Sequence, residues 1–388
     1  MAGGWNAITS RVSLSGSLRA GMAAAIIFGV LANLIFAIVL FPRWSVGLND
    51  YMAHYASGKL AFSGQLYSSE SHFAAQRAAT GGGYGEAWLF VRLPYFAGFL
   101  WPFSQLPYAW AWGVFTTASI AAMVGFVRWW PVEDKRFLGT VTLISLPVFH
   151  GVLNGQDVAF LMLWLAVGAA LSRSGRGFAA GLVWSLLAAK PHLFLFLPIA
   201  LIAKRRWPEM RGAVAGGAIL LALSFVVGGA GWIPEFRAAV AKPAIHVWSQ
   251  MPNLELFNSG RGAIWFYVAG APVACWVLFK LRTRISTIGM VAASNAAGIL
   301  LAPHVFLDDC ALLVPLGVTL LLECQEEWRR WLGVLVLSPI YFLLPFEPPL
   351  AYSVPLMIVA ALLGLLGNNG WRSADNGHLA ARVETSQV

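Results

Sequence analysis

The 388-residue chain is 59% hydrophobic and 11% charged, with a net charge of +9. Soluble domains carry roughly 25% charged residues, so composition excludes an ordinary soluble enzyme. The basic residues form short clusters between apolar runs, with no long basic stretch or recognition motif, which excludes nucleic-acid binding.

The apolar runs are long enough to cross a bilayer as helices, and the short alternating segments of a β-barrel are missing. The predicted fold is an all-α polytopic membrane protein. Residues 1–19, with Arg11 and Arg19, read as a cytoplasmic segment. The first span covers 20–41, too long for the core of a typical signal peptide. A loop over 42–106 follows, with a helical portion near its start. Within it, 89–105 is apolar but broken by Arg92, Pro94 and Pro102, and reads as interfacial or re-entrant. Further spans are predicted over 107–127, 137–153, 157–172, 178–203, 212–229, 263–280, 285–302, 305–322, 331–345 and 350–367. A second loop covers 230–262. Residues 20–367 then form one integral membrane domain, and 368–388 a disordered cytoplasmic tail. Cys275, Cys310 and Cys324 have neither metal-ligand spacing nor a disulfide pattern.

The run 178–203 carries Lys190-Pro191-His192 at its middle. Proline breaks a helix, and a lysine inside a membrane is costly unless it is paired or hydrated. Charge counting separates one kinked span from two short helices turning at Lys190. Two helices, with a cytoplasmic N-terminus, leave 18 of the 26 Lys and Arg residues inside; one continuous span leaves 10. The positive-inside rule favours the split, giving about 12 crossings with both termini cytoplasmic. The unusual polar residues then gather on the far side, while the inner loops are short and basic.

Five clusters on that side carry chemistry. Asp50 and His54 stand four residues apart, with Tyr51, Tyr55 and Tyr67 around them. Asp50 reads either as a general base or as a cap of a surface helix. The Gly155-Gln156-Asp157 turn, preceded by His150 and Asn154, reads as a sugar-binding turn or as a tight turn capped by Asp157. Lys190 reads as the cation for a lipid phosphate, with His192 as a second donor, or as half of a structural ion pair. The 230–262 loop offers His246, Trp248, Gln250, Asn253, Glu255, Asn258 and Arg261, aromatic and amide groups suited to sugars. His304, Asp308 and Asp309 read as a metal, phosphate or sugar site, or as helix-start acidity.

Together these segments resemble glycosyltransferase family 87. The resemblance rests on Asp50, Tyr55, Ala56-Ser57-Gly58, Gly64 and Tyr67, and on the stretches 93–108, 155–165, 178–207 and 301–316. It covers about residues 30–320 in order. It implies a GT-C type membrane fold and a polyprenyl-phosphate-mannose donor, with Asp50 as the base and Lys190 in the active-site cavity. The chain departs from the family pattern at Val91-Arg92-Leu93-Pro94, where a Tyr-Pro-Pro type of start is usual, and at Asp157, where relatives have Asn.

The expected function is hexose transfer to a lipid or glycan acceptor outside the plasma (inner) membrane. Lys190 and Arg261 would hold the donor phosphate. His54, Tyr55, Asn154, Gln156, Asp157, His192, Asn258, His304 and Asp309 would hold sugar or acceptor. No cofactor is required, and no metal ligand set is assigned, although Asp308 and Asp309 leave a divalent metal open. The alternative is a secondary transporter or lipid-linked-sugar flippase, against which stand the missing inverted repeat and the one-sided polar clusters.

Overall fold

The computed structural model describes residues 14–81, 88–241, 251–258, 263–346 and 349–367. Their regular structure is helical, with no strand among the described residues. The helices are α1 (Gly16–Ser45), α2 (Tyr51–Leu60), α3 (Ser69–Thr80), α4 (Pro94–Ser104), α5 (Tyr108–Trp129), α6 (Lys135–Ile144), α7 (Leu146–Leu153), α8 (Val158–Arg173) and α9 (Gly177–Ser185). They continue as α10 (Leu197–Ala203), α11 (Trp207–Gly228), α12 (Trp232–Val240), α13 (Glu255–Asn258), α14 (Ala263–Leu281), α15 (Thr287–Leu301), α16 (Val314–Glu323), α17 (Glu327–Leu337) and α18 (Ser353–Leu366). Short 3-10 runs cover Leu186–Ala189, Pro191–Phe194, Leu307–Leu313, Pro339–Leu343 and Leu350–Tyr352.

Among the described residues, α1 (through Trp44), α5 and α11 are long and apolar enough to cross a membrane. Their outward faces are greasy: Ile38 on α1, Trp110 on α5 and Val226 on α11 are all exposed. A solvated helix would carry charge there. The bent pair α6–α7 gives a fourth candidate span, turning by 65°. Pro147 explains the bend, since it sits in the first turn of α7 and cannot continue the α6 ladder. The break exposes the Ile144 carbonyl, and buried Asn33 of α1 donates its amide to it at 3.3 Å. An unpaired carbonyl at that depth is expensive.

The 178–203 run is split at Lys190, as charge counting requires. Its two ends lie at one level. A Cβ on Gly177 would be 2.9 Å from Pro208, and the Ser172 hydroxyl donates to Glu209 at 2.8 Å. The chain that leaves through α9 is therefore back at the start of α11 by Trp207. Each 13-residue arm, Gly177–Ala189 and Pro191–Ala203, extends only about 20 Å, against a hydrocarbon thickness of about 30 Å. α9 and α11 run parallel with their backbones in contact: a Cβ on Gly212 would sit 2.0 Å from the Phe178 carbonyl oxygen. Small residues permit that approach, the usual basis of helix packing in lipid.

The helix breaks converge. The α1–α2 corner, the α7–α8 turn, the Lys190 turn and the 303–309 stretch all contribute polar groups to one buried region.

Candidate active site

Asp50 stands at the N-cap position of α2 but makes no cap bond. The first helical N–H, that of Tyr51, is taken by the Asn154 carbonyl at 3.1 Å. Half-buried Asp50 turns its carboxylate to the α7–α8 turn, where Oδ2 accepts from Asn154 Nδ2 and Gln156 Nε2, each at 2.6 Å. The orientation of the Asn154 amide is forced. Its Oδ1 accepts the Trp44 indole N–H at 3.1 Å and the Asp50 backbone N–H at 3.3 Å, which leaves the NH2 for the carboxylate. Gly155 makes the approach possible. Its φ is +74°, and a Cβ there would lie 2.3 Å from the Tyr51 Cβ.

Behind Asp50 runs an alternating chain of buried charges. Arg92 Nε donates to Asp157 Oδ2 at 2.6 Å. Asp157 Oδ1 lies 3.0 Å from Lys190 Nζ, and Lys190 donates to Asp309 Oδ1 at 2.6 Å. Asp309 Oδ2 accepts the Phe306 N–H at 3.1 Å. Two cations thus match two carboxylates. A further pair joins His150 Nδ1 to Asp308 Oδ1. Trp44 and Phe36 pack edge-on against the His150 ring, at 5.8 Å each between centroids.

These placements set the proton affinities. Burial, then the charge of Asp308, raises the Asp50 pKa to about 6, although the Gln156 bond, His150 and Lys190 pull the other way. Asp157 instead faces a cation at each carboxylate oxygen, Arg92 at Oδ2 and Lys190 at Oδ1. Burial lowers His54 to about 3 and His304 to about 3, so both rings are neutral at physiological pH.

The structure sorts the expected site residues. Asn154 and Gln156 orient the Asp50 carboxylate, and Gln156 Oε1 is left buried without a partner. Asp157, Lys190 and Asp309 form the ion network. His192 and His304 lie beside it, with ring centroids 6.3 Å apart. His54 does not share a polar contact with Asp50. Its ring packs edge-on against Phe96 at 5.7 Å, and neither nitrogen is bonded. Tyr55 points away, donating its hydroxyl to the Leu106 carbonyl at 3.0 Å. Asn258 ends the short helix α13, and Arg261, with His246, Trp248 and Gln250, lies outside the described residues. Arg92 reads from sequence as an interfacial charge, Trp44 carries no signal of a role, and nothing in the spacing pairs Asp308 with His150. An arginine in an apolar, proline-flanked stretch was the available signal for the first. Among the described residues, no group of three His, Cys, Asp or Glu side chains is arranged to hold a metal ion.

The fold and site define an all-helical membrane protein with a carboxylate held ready beside a buried ion network. The family model of glycosyltransferase family 87 matches residues 90–322, and the chain belongs to that family. The protein is a glycosyltransferase, with a sugar donor and an acceptor. The matched stretch contains Arg92, the Asn154–Asp157 turn, Lys190, His192 and His304–Asp309; Asp50 lies before it. Comparisons with curated proteins and with solved structures give no match.

Proposed function

We propose that the protein moves a hexose, mannose in the first instance, from a polyprenyl-phosphate donor to a lipid or glycan acceptor, with Asp50 as general base. The observation that carries this reading is the Asp50 carboxylate, oriented by two amides, half-buried and ionised near neutrality with an affinity suited to taking a hydroxyl proton. The unpartnered Gln156 Oε1 beside it suits an acceptor hydroxyl. His192 and His304 border the same region and suit sugar hydroxyls. The reading includes a GT-C type fold of about 12 crossings, both termini cytoplasmic and the site on the far face of the plasma membrane, as the positive-inside count favours.

A lipid-linked donor is supported by an apolar groove of about 640 Å³ between α1 and the α17 to Pro339–Leu343 stretch, with Ala25, Phe28, Ala32, Trp331 and Phe342 among its walls. Phe36, next to the groove residue Ile35, stacks edge-on against both Phe342 and His150. The groove therefore ends one ring away from the His150–Asp308 pair. Lys190 has both its ion-pair directions filled by Asp157 and Asp309, so in this reading it holds the site together and is not the phosphate cation.

The test is sugar transfer by purified protein in detergent from synthetic polyprenyl-phosphate-mannose across a set of lipid and glycan acceptors. Donor consumption with formation of a mannosylated product is expected. Inert mannosyl donor, with another polyprenyl-phosphate hexose turned over, would change the sugar; no turnover of any lipid-phosphate donor would sink the reading.

The pH profile follows from the same carboxylate. Asp50 must be ionised, so kcat/KM should climb with pH through an acid limb near 6 and level off above it. Gln156→Leu removes a donor that favours the charged form, so its limb should move to higher pH. A limb that stays in place in the variant would separate the titration from Asp50.

A further inference from the structure

We propose that Arg92 is the residue that grips the donor's phosphate, an inference that rests on the lipid-phosphate reading above. Arg92 precedes α4 in a segment that is firmly held. The Tyr67 hydroxyl donates to its carbonyl at 2.7 Å. Gln76 of α3 brackets Trp88, donating to its carbonyl at 2.7 Å and accepting its N–H at 2.9 Å. Among the described residues, the side chain is fixed at one point, Nε to Asp157.

Counting donors singles this residue out. A guanidinium has five N–H groups and an ammonium three. Lys190 donates to Asp309 and lies 3.0 Å from Asp157 Oδ1, so its charge is spent between two carboxylates even though Asp157 Oδ1 accepts no hydrogen bond from a described residue. Arg92 uses one, and its two Nη groups make no hydrogen bond to any described residue. The residue is 6% exposed, so this unspent fork is not on an open, well-hydrated surface. Its charge is felt by His54, His192 and His304, which places it among the polar groups of the site. The buried His192 Nε2 is also without a partner. A planar fork anchored at Nε presents two parallel N–H groups, the arrangement that binds two phosphate oxygens at once.

The reaction gives the fork a purpose beyond binding. The acceptor oxygen forms its bond to the anomeric carbon and gives its proton to Asp50. The bond from that carbon to the phosphate oxygen breaks, and its electron pair stays on the phosphate. Asp50 goes from anion to acid, while the phosphate goes from a singly charged diester to a doubly charged monoester. The fixed charges nearby already cancel, Arg92 and Lys190 against Asp157 and Asp309. The new charge is therefore met by the four free N–H groups of Arg92, which strengthen their hold as the bond breaks.

Binding of a short prenyl phosphate and of the matching prenyl alcohol, measured on the purified full chain, tests this without turnover. Wild type should prefer the phosphate. Arg92→Lys keeps the charge beside Asp157 but loses the fork, and the double variant Arg92→Gln/Asp157→Asn keeps the network neutral. Both should bind the phosphate roughly 10- to 100-fold more weakly, with alcohol affinity unchanged. If wild type prefers the phosphate and both folded variants keep that preference, Arg92 is not the phosphate ligand and the donor reading survives. If wild type shows no preference and leaves polyprenyl-phosphate sugars untouched, the donor reading falls and this inference with it.

Discussion

Asp50→Asn should lower kcat by at least about a hundredfold, and up to about ten-thousandfold, the range that a positioned general base contributes. Donor KM should stay within about threefold, because the lost step is made only in the transition state. The substitution is close to isosteric. An asparagine at this position can still present its carbonyl oxygen to Asn154 Nδ2 and Gln156 Nε2, so the local geometry survives while the proton acceptor is gone. Stability should hardly change. The carboxylate is half-buried and its affinity is raised by burial and Asp308, so neutralising it relieves repulsion and offsets the two weaker hydrogen bonds. Initial rates at saturating donor, alongside a thermal melt in detergent, check both halves. An Asn variant that keeps more than a tenth of wild-type kcat would remove Asp50 from the chemistry.

Much of the architecture was legible because the signals are local. The apolar runs predicted the helices, since span length depends only on stretches of sequence. Lys190-Pro191 marked a break, and charge counting turned it into a hairpin. Elsewhere the run lengths overstate the helices: Pro147 and the 3-10 run at Leu307–Leu313 cut apolar stretches into pieces, leaving three long helices among the described residues. The site was legible as a set of residues but not as a set of pairs. Spacing of four places Asp50 and His54 on one face of a helix, yet no polar contact joins them among the described residues, because the His54 ring turns toward Phe96 and Phe115. The true partners lie far along the chain: Arg92 with Asp157, His150 with Asp308, Lys190 with Asp309. Such pairings come from packing of broken helix ends, which no local pattern encodes.

The second large effect concerns Lys190, where catalytic and structural roles predict different measurements. Lys190→Met would leave Asp309 with only the Phe306 N–H, and Asp157 with only Arg92. Both carboxylates are essentially inaccessible to solvent. Breaking a buried pair by removing one partner costs about 3–5 kcal/mol, because the remaining charge is uncompensated. The variant should therefore melt well below wild type in detergent, and transfer should fall with the folded fraction. Lys190→Met/Asp309→Asn removes the orphaned charge together with the lysine, and should recover most of the lost stability. That rescue depends on the charge balance, which a residue serving only as a ligand for the donor would not share. The opposite pattern, a Lys190→Met protein that melts like wild type and only binds donor more weakly, would return Lys190 to the role of phosphate cation. It would also imply that Asp157 and Asp309 hold protons or other partners when the lysine is gone. The double variant distinguishes these cases, since under that reading Asp309→Asn would add nothing to stability.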